Sequence, residues 1–293
     1  MPFNIEQVYN QYFNKFEALL ADYLNNLDQS ISKTIQQAIE YSMTNGGKRV
    51  RAVLLLASAD YLGVDFEQVK YFAIALELIQ AYSLVHDDLP AMDNDDYRRG
   101  KLSTHKKFGE AVGILAGDAL LNLAVETCLK KQSFSEKDVE AMKLIFDFSG
   151  YKGMVAGQVL DLQNEKNSNA NQDVLYDIYL NKSVKMIMAP LLCASILSGH
   201  KYYSELKQYG MNLGFAFQIQ DDIIDVEGNL EQIGKTPNKD VQVDKLTSIK
   251  VFGIDGAKSK AKEFFDKTLK SVENLKNNEF FIHFANMLNK RKY

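Results

Sequence analysis

Two clusters of aspartate residues have the composition of a metal-binding site. The first comprises Asp87, Asp88 and Asp93, and the second comprises Asp221, Asp222 and Asp225. Each cluster follows an apolar stretch, so each should adjoin the protein core rather than open water. Carboxylates gathered beside apolar side chains disfavour one another's charged form unless a cation is bound. Oxygen ligands without cysteine favour a hard ion, Mg²⁺ or Ca²⁺.

The spacing within the two clusters predicts different local structures. Asp221 and Asp225 are four residues apart, which places them one turn apart on the same face of a helix. Asp87 and Asp93 are six residues apart, so a continuous helix would point them in different directions. Pro90 disfavours a continuous helix here. We therefore predict a helix through the second cluster and a break that returns Asp93 toward Asp87 in the first.

Basic residues near the first cluster indicate that the metal accompanies a phosphate group. Arg98 and Arg99 follow the cluster directly, and the sequence GGKRVR lies upstream at 46–51. Arginine binds phosphate oxygens through paired hydrogen bonds, and Mg²⁺ commonly completes its shell with phosphate oxygens. A calcium EF-hand does not fit, because Arg98 stands where that loop needs glycine. A solvated acidic loop without function is the alternative, but two clusters with two basic groups argue against it.

Sparse prolines and helical periodicity predict an all-α protein. The 293 residues include only four prolines, and apolar residues recur at helical spacing, as at Leu115, Ala119 and Leu123. Clusters of Gly, Asn, Ser, Asp and Pro mark short turns, none long enough to separate domains. We predict a single domain over residues 1–293, built from roughly ten helices.

Composition and charge argue against several classes of protein. With 46% hydrophobic residues, 25% charged residues and a net charge of −4, the chain is a poor candidate for nucleic-acid binding. Uninterrupted apolar runs fall well short of the ~18 residues of a membrane span, and the first residues lack a signal-peptide pattern. Cys128 and Cys193 lie apart in apolar segments. We therefore expect a cytoplasmic protein with reduced cysteines and no membrane span.

Over about residues 40 to 250 the chain resembles the trans-isoprenyl diphosphate synthases, the polyprenyl synthetase family. The matching stretches are GGKRVR (46–51), QAYSLVHDDLPAMDNDDYRRG (80–100), THKKFGEAVGILAGDALL (104–121), GQVLDL (157–162), NKS (181–183), GFAFQIQDDIIDVEG (214–228) and GKTPNKD (234–240). The first motif, DDxxxxD, is similar to that of bacterial members that make farnesyl diphosphate. The resemblance implies an all-α bundle of roughly ten or more mostly antiparallel helices around a deep central cavity, a homodimer, and condensation of isopentenyl diphosphate with an allylic diphosphate.

The resemblance also implies roles for individual residues. The implied metal ligands are Asp87, Asp88, Asp93, Asp221 and Asp225, which would hold Mg²⁺ (or Mn²⁺), three ions with substrate bound. The implied catalytic residues are Lys182, Ser183 and Gln218, and the implied substrate-binding residues are Gly47, Lys48, Arg51, Gln80, Arg98, Arg99, Lys235 and Lys245. Gln80 stands where many bacterial members have His, and Ser183 stands where Thr is usual; both replacements keep a hydrogen-bonding group.

Product length is expected to depend on Tyr82 and Ser83, which match the floor of the family's cavity. A bulky ring one helical turn below the metal site would stop the chain at about three isoprene units, giving the C15 product farnesyl diphosphate from dimethylallyl and geranyl diphosphates. The alternatives are a C20 geranylgeranyl diphosphate synthase and a non-catalytic partner subunit. A class I terpene cyclase is disfavoured, because Asp225 stands where its second motif has serine.

Overall fold

The structure is a computed structural model, and it describes residues 3–28, 30, 32–165, 171–227 and 245–290. In these residues nearly all regular structure is helical, which confirms the all-α prediction. The chain divides into two compact units, Tyr9–Ser135 and Met1–Val8 with Glu136–Tyr293.

The elements follow the turns that the sequence predicts at most of their boundaries. The helices are α1 (Ile5–Asn25), α2 (Lys33–Thr44), α3 (Val50–Leu62), α4 (Phe66–Asp87), α5 (Thr104–Phe108), α6 (Glu110–Leu129), α7 (Glu136–Ser149), α8 (Met154–Gln163), α9 (Gln172–Tyr179), a π-helical segment (Leu180–Val184), α10 (Lys185–Leu197), α11 (Tyr203–Glu227), α12 (Ser248–Ser271) and α13 (Glu279–Asn289), and the strands are β1 (Tyr97–Arg98) and β2 (Lys101–Leu102). Of the stretches rich in Gly, Asn, Ser, Asp and Pro, 63–65, 90–95 and 198–201 fall between these helices, and 42–48 begins in the last turn of α2.

Helix α4 is the core of the Tyr9–Ser135 unit and carries the first aspartate cluster at its end. Asp65 caps its N-terminus by accepting a hydrogen bond from the amide of Glu67 at 2.8 Å. Its side chains are buried on nearly every face between Val69 and Val85, because α3 and α6 pack along it. Helix α4 therefore holds the aspartates on a rigid, buried support.

A small hairpin follows the first cluster and was not predicted from the sequence. Strands β1 and β2 pair antiparallel, with Tyr97 opposite Leu102. Arg99 and Gly100, with φ of 54° and 76°, form the two-residue connection, as a type I′ turn requires. Strands of two residues are too short for an alternating pattern to reveal them. The hairpin fixes the directions of the two adjacent arginines.

In the other unit, close backbone packing surrounds the π-helical segment. A Cβ added to Gly157 of α8 would lie 2.2 Å from the backbone nitrogen of Lys182, and one added to Gly214 of α11 would lie 3.0 Å from Val184 Cα. Both glycines therefore allow neighbouring helices to approach this segment closely. Such π-helical turns are rare and occur frequently at functional sites.

Two helical stretches are long and apolar enough to span a membrane by length and composition alone. They are Glu110–Leu129 and Gln172–Leu197. The most apolar 18 residues are 39% buried in the first stretch and 72% buried in the second. The expectation of no span was based on uninterrupted apolar runs, and polar or charged residues such as Asp118, Asn122 and Lys185 interrupt both stretches. The largely buried second stretch has the character of a core helix.

Candidate active site

The first aspartate cluster folds back on itself, as the position of Pro90 predicts. Helix α4 ends at Asp87, and the amide of Asp93 donates to the Asp87 carbonyl at 2.8 Å. In the same turn, the amide of Asp95 donates to the Asp88 carbonyl at 3.1 Å. The break therefore brings Asp93 back beside Asp87, where a continuous helix would separate them.

Asp88 is bound by Arg98. Nε of Arg98 donates to Oδ1 and Oδ2 of Asp88 at 3.0 and 3.3 Å, and Nη2 also contacts Oδ1. Asp88 is only 2% exposed, and burial raises its pKa, an effect that the hydrogen bonds from Arg98 partly offset. The pair ties the hairpin to the end of α4. In the structure Asp88 thus supports Arg98, whereas Asp87 and Asp93 are partly exposed.

The glycine loop upstream of α3 is held by contacts from two directions. The guanidinium of Arg99 donates to the Gly46 carbonyl and lies against Gly47, where an added Cβ would come within 2.6 Å of it. The φ of Gly47 is 126°, which a larger residue adopts only with strain. On the other side, the Tyr9 hydroxyl donates to the Lys48 carbonyl. The loop thereby brings Gly47 and Lys48 together with Arg99.

Arg51 presents a buried donor near this loop. Its Nε is buried and has no hydrogen-bond partner among the described residues. Burial lowers the pKa of Arg51 to about 10, Glu77 opposes this shift, and the nearby Arg99 adds to it. Arg51 therefore stays protonated at neutral pH. A buried cationic donor without a partner, close to a second arginine, suits an anionic ligand.

A polar pocket of about 440 Å³, counted with the solvent at its mouth, collects several of these side chains within the Tyr9–Ser135 unit. It is lined by Ser42, Asn45, Arg49, Glu77, Gln80, Ala81, Leu84, Val85, Asp88, Arg98, Arg99, Ser103 and Thr104. Four predicted site residues from two parts of the chain thus meet at one pocket: Gln80 and Asp88 from α4 and its end, and Arg98 and Arg99 from the hairpin. Tyr82 does not line it.

Arg49 and Glu77 form a buried support that the sequence reasoning did not assign. Arg49 donates to Glu17 at 2.7 Å and to the Met43 carbonyl at 2.6 Å, and its Nη1 lies 3.8 Å from Glu77. Glu77 also accepts from the amide of Ala52 at 3.2 Å, in the first turn of α3. The pair joins α1, α2, α3 and α4 around the glycine loop. A carboxylate within the apolar run FAIALELIQ was the available signal.

We expect Arg49→Met to lower the free energy of unfolding by about 3 kcal/mol, because Glu77 would keep a buried charge without its arginine. Urea denaturation followed by circular dichroism measures this change. Lys106→Met is the matched control, since Lys106 pairs with Asp96 on the surface and should cost less than about 1 kcal/mol. Equal losses in the two variants would contradict the assigned role of Arg49.

The second aspartate cluster lies on α11, which confirms the predicted helix. Asp222 and Asp225 are buried at 5% exposure each, and Asp221 is partly exposed. Ile219 and Phe215, one and two turns before Asp222, are in the core of this unit. Carboxylates on this helix therefore adjoin apolar packing, as the apolar residues before them predict.

Asp222 lies in a hydrogen-bonded cluster. Its Oδ2 accepts from the Tyr179 hydroxyl, from the Ser248 amide at 2.6 Å and from the Ser248 hydroxyl at 2.7 Å. Burial raises the pKa of Tyr179, and the charge of Asp222 raises it further, so the tyrosine remains a donor. No role for Tyr179 or Ser248 was predicted from the sequence.

Of the predicted catalytic residues, Lys182 and Ser183 lie on the π-helical segment and Gln218 on α11. Lys182 Nζ pairs with Asp161 of α8 at 2.6 Å. Lys245 lies just before α12 and is partly buried. Lys235 and the stretch 234–240 are outside the described residues, so their assignment stays a prediction.

The donor set fits Mg²⁺. In the described part of the chain, no three His, Cys, Asp or Glu side chains already form a closed metal site. Mg²⁺ typically takes only one or two carboxylates and completes its shell with water and phosphate oxygens. Two aspartates in each cluster can supply the carboxylates, and Arg98 and Arg99 lie near the first cluster. This arrangement is suited to Mg²⁺ that is bound together with a diphosphate.

Tyr82 is held rigidly within α4. It is 7% exposed, and its ring makes an edge-to-face contact with His86 at 5.8 Å. His86 in turn lies 3.0 Å from the Ile114 carbonyl and fits against Gly117, where an added Cβ would be 2.0 Å from Nε2. His86 thus has a structural role. Ser83 hydrogen-bonds to the carbonyl three residues before it.

Comparison with known proteins agrees with this arrangement. The polyprenyl synthetase profile matches residues 32–281. The chain belongs to the polyprenyl synthetase family. It is 43% identical to a farnesyl diphosphate synthase of Micrococcus luteus, over 87% of this chain and 93% of the relative. It is 40% identical to geranylgeranyl pyrophosphate synthase 4 of Arabidopsis thaliana, over 80% of this chain and 63% of the relative.

A solved structure of a geranyltransferase has the same fold. The geranyltransferase of Helicobacter pylori complexed with magnesium and isoprenyl diphosphate superposes with a TM-score of 0.84 at 29% identity, covering 98% of this chain and 97% of that chain. The match extends over the stretches that bear both aspartate clusters.

Proposed function

We propose that this polyprenyl synthetase, acting as one catalytic domain over residues 1–293, condenses isopentenyl diphosphate with dimethylallyl and then geranyl diphosphate, producing (2E,6E)-farnesyl diphosphate. The observation that carries the proposal is a polar pocket lined by Gln80, Arg98 and Arg99 together with Asp88, which follows Asp87 at the start of the turn that returns to Asp93. Such a pocket suits a diphosphate that needs both a divalent ion and cationic donors.

Isopentenyl diphosphate is assigned to the cationic residues around the glycine loop. Lys48, Arg51 and Arg99 supply positive charge, and Gln80 supplies an uncharged hydrogen-bonding group. The orphaned Nε of Arg51 and the packing of Arg99 on Gly47 support this assignment. The double bond of isopentenyl diphosphate is uncharged and offers no ionic contact. These side chains would therefore orient it by holding the attached diphosphate.

The allylic diphosphate is assigned to the two aspartate clusters with Mg²⁺. Asp87 and Asp93 would hold the ion in the first cluster, and Asp221 with Asp225 in the second. When bound, Mg²⁺ supplies Lewis-acid stabilisation of the departing diphosphate. Asp88 acts through Arg98, which would contact the same diphosphate.

Further cationic and polar residues would complete the allylic site. The residues that we assign there are Lys182, Ser183, Gln218, Lys235 and Lys245. Apolar walls are required so that water does not capture the allylic cation before the carbon–carbon bond forms. We propose that the proton then lost passes to the released diphosphate, since His86 is occupied by its contact with Ile114.

We also propose a homodimer that forms through α6 in the cytoplasm. Ile114, Leu115, Val125 and Leu129 are exposed on this helix, Leu115 and Leu129 by more than half. An apolar helix face of this kind is typical of a subunit interface. The free cysteines Cys128 and Cys193 are buried, which fits a reducing compartment.

A direct assay tests the proposed activity. Purified chain is incubated with isopentenyl and dimethylallyl diphosphates, with and without a chelator, and the dephosphorylated products are sized. We expect a C15 product whose formation stops with chelator and resumes with added Mg²⁺. Absence of turnover with Mg²⁺ would favour the non-catalytic subunit, and a C20 product would favour the geranylgeranyl alternative.

A further inference from the structure

One carboxylate oxygen connects three segments of the chain that each carry a candidate active-site residue. Oδ2 of Asp222 accepts from Tyr179 at the end of α9 and from Ser248 at the start of α12. Tyr179 is three residues before Lys182, and Ser248 is three residues after Lys245. Asp222 itself follows Asp221.

We propose that Tyr179 and Ser248 are positioning residues, which clamp Asp222 and thereby set Lys182, Asp221 and Lys245 for diphosphate and Mg²⁺ binding. This inference rests on the proposed function. The three residues of this clamp, Tyr179, Ser248 and Asp222, are shielded from water. Tyr179 is 4% exposed, Ser248 is fully buried, and Asp222 is 5% exposed. In addition, the Ser248 amide lies 2.9 Å from the Tyr179 hydroxyl, so all three residues contact one another.

The chemistry of the clamp fits holding a carboxylate in place rather than presenting it to a metal. Three donors converge on a single oxygen, and one of them is a backbone amide in the first turn of a helix, where negative charge is favoured. The charge of Asp222 is thus stabilised within the unit. The neighbouring Asp221 is partly exposed and so is accessible to a ligand.

The test compares two tyrosines of the same helix. Tyr179→Phe removes a hydroxyl that bonds Asp222, whereas Tyr176→Phe removes a buried hydroxyl that has no hydrogen-bond partner among the described residues. Supporting residues behind metal ligands typically change metal affinity or activity by about 10- to 100-fold. We expect Tyr179→Phe to raise the Mg²⁺ concentration for half-maximal rate and the KM for geranyl diphosphate by about 10-fold or more, with little change in the KM for isopentenyl diphosphate.

A binding readout separates positioning from folding. The shift in melting temperature produced by Mg²⁺ with inorganic pyrophosphate is measured for wild type and both variants. We expect wild type and Tyr176→Phe to be protected equally, and Tyr179→Phe to lose most of the protection. Equal protection and equal kinetics in the two variants would overturn the inference, and an unprotected, inactive wild type would instead overturn the proposed function.

If Tyr179→Phe fails to fold, the serine side of the clamp gives the same test. Ser248→Ala removes one hydroxyl donor and keeps the amide, and Ser248→Thr keeps both. We expect Ser248→Ala to lose more pyrophosphate protection than Ser248→Thr at matched stability without ligand. Identical protection in the two serine variants would overturn the inference.

Discussion

Replacing Asp87 by Asn should lower turnover by about 10³-fold or more, because the amide cannot supply the negative charge that holds Mg²⁺ at the diphosphate. Lewis-acid stabilisation contributes several kcal/mol to such reactions, and about 1.4 kcal/mol corresponds to tenfold in rate. Asp221→Asn should have a comparable effect through the second cluster. Initial rates with geranyl and isopentenyl diphosphates at saturating Mg²⁺ measure both.

The control for Asp87 is available in the same acidic stretch. Asp96 is exposed and pairs with Lys106 at 2.8 Å, so Asp96→Asn removes an equal charge without touching the turn. We expect Asp96→Asn to retain ordinary turnover. Ordinary turnover in Asp87→Asn as well would mean that the first cluster is a solvated acidic loop.

Replacing Tyr82 by Ala should change the product from C15 to C20 or longer. The ring is buried and fixed by His86, which Gly117 and the Ile114 carbonyl hold in place. A fixed aromatic ring cannot rotate away from a growing prenyl tail, whereas alanine leaves a cavity of several methylene groups. Chromatographic sizing of the dephosphorylated products measures the change.

Two substitutions control for bulk and for the loss of a ring. Tyr82→Phe keeps the ring and should continue to give C15. Tyr71→Ala removes a tyrosine from the same helix at a partly exposed position and should also leave the product at C15. If Tyr82→Ala still stops at C15, the floor of the cavity is formed by other residues.

The helical fold and the local form of both aspartate motifs were predictable from short-range physics. Pro90 together with the six-residue spacing predicts a break, and the break brings Asp93 to Asp87. The burial of Asp222 also had a signal. It lies three residues after Ile219 and seven after Phe215, so it shares their buried stripe, whereas Asp221 does not.

Other features depend on long-range packing that no local pattern contains. The sequence LNKSV is compatible with an ordinary α-helix. Its π-helical form occurs where Gly157 approaches the backbone of Lys182 closely. The donors to Asp222 come from Tyr179 and Ser248, 43 and 26 residues away in sequence. Glu77 in an apolar run indicates a buried charge. Its pairing with Arg49 could not be predicted, because the pair depends on how α3 and α4 pack.

We propose that both aspartate clusters bind one metal-bound diphosphate. A crystal structure with inorganic pyrophosphate and Mn²⁺ in place of Mg²⁺ tests it most directly, because anomalous scattering locates each metal ion. We expect one pyrophosphate whose Mn²⁺ ions are ligated by Asp87 on one side and by Asp221 on the other. Metal bound at one cluster alone, or a separate pyrophosphate at each cluster, would contradict it.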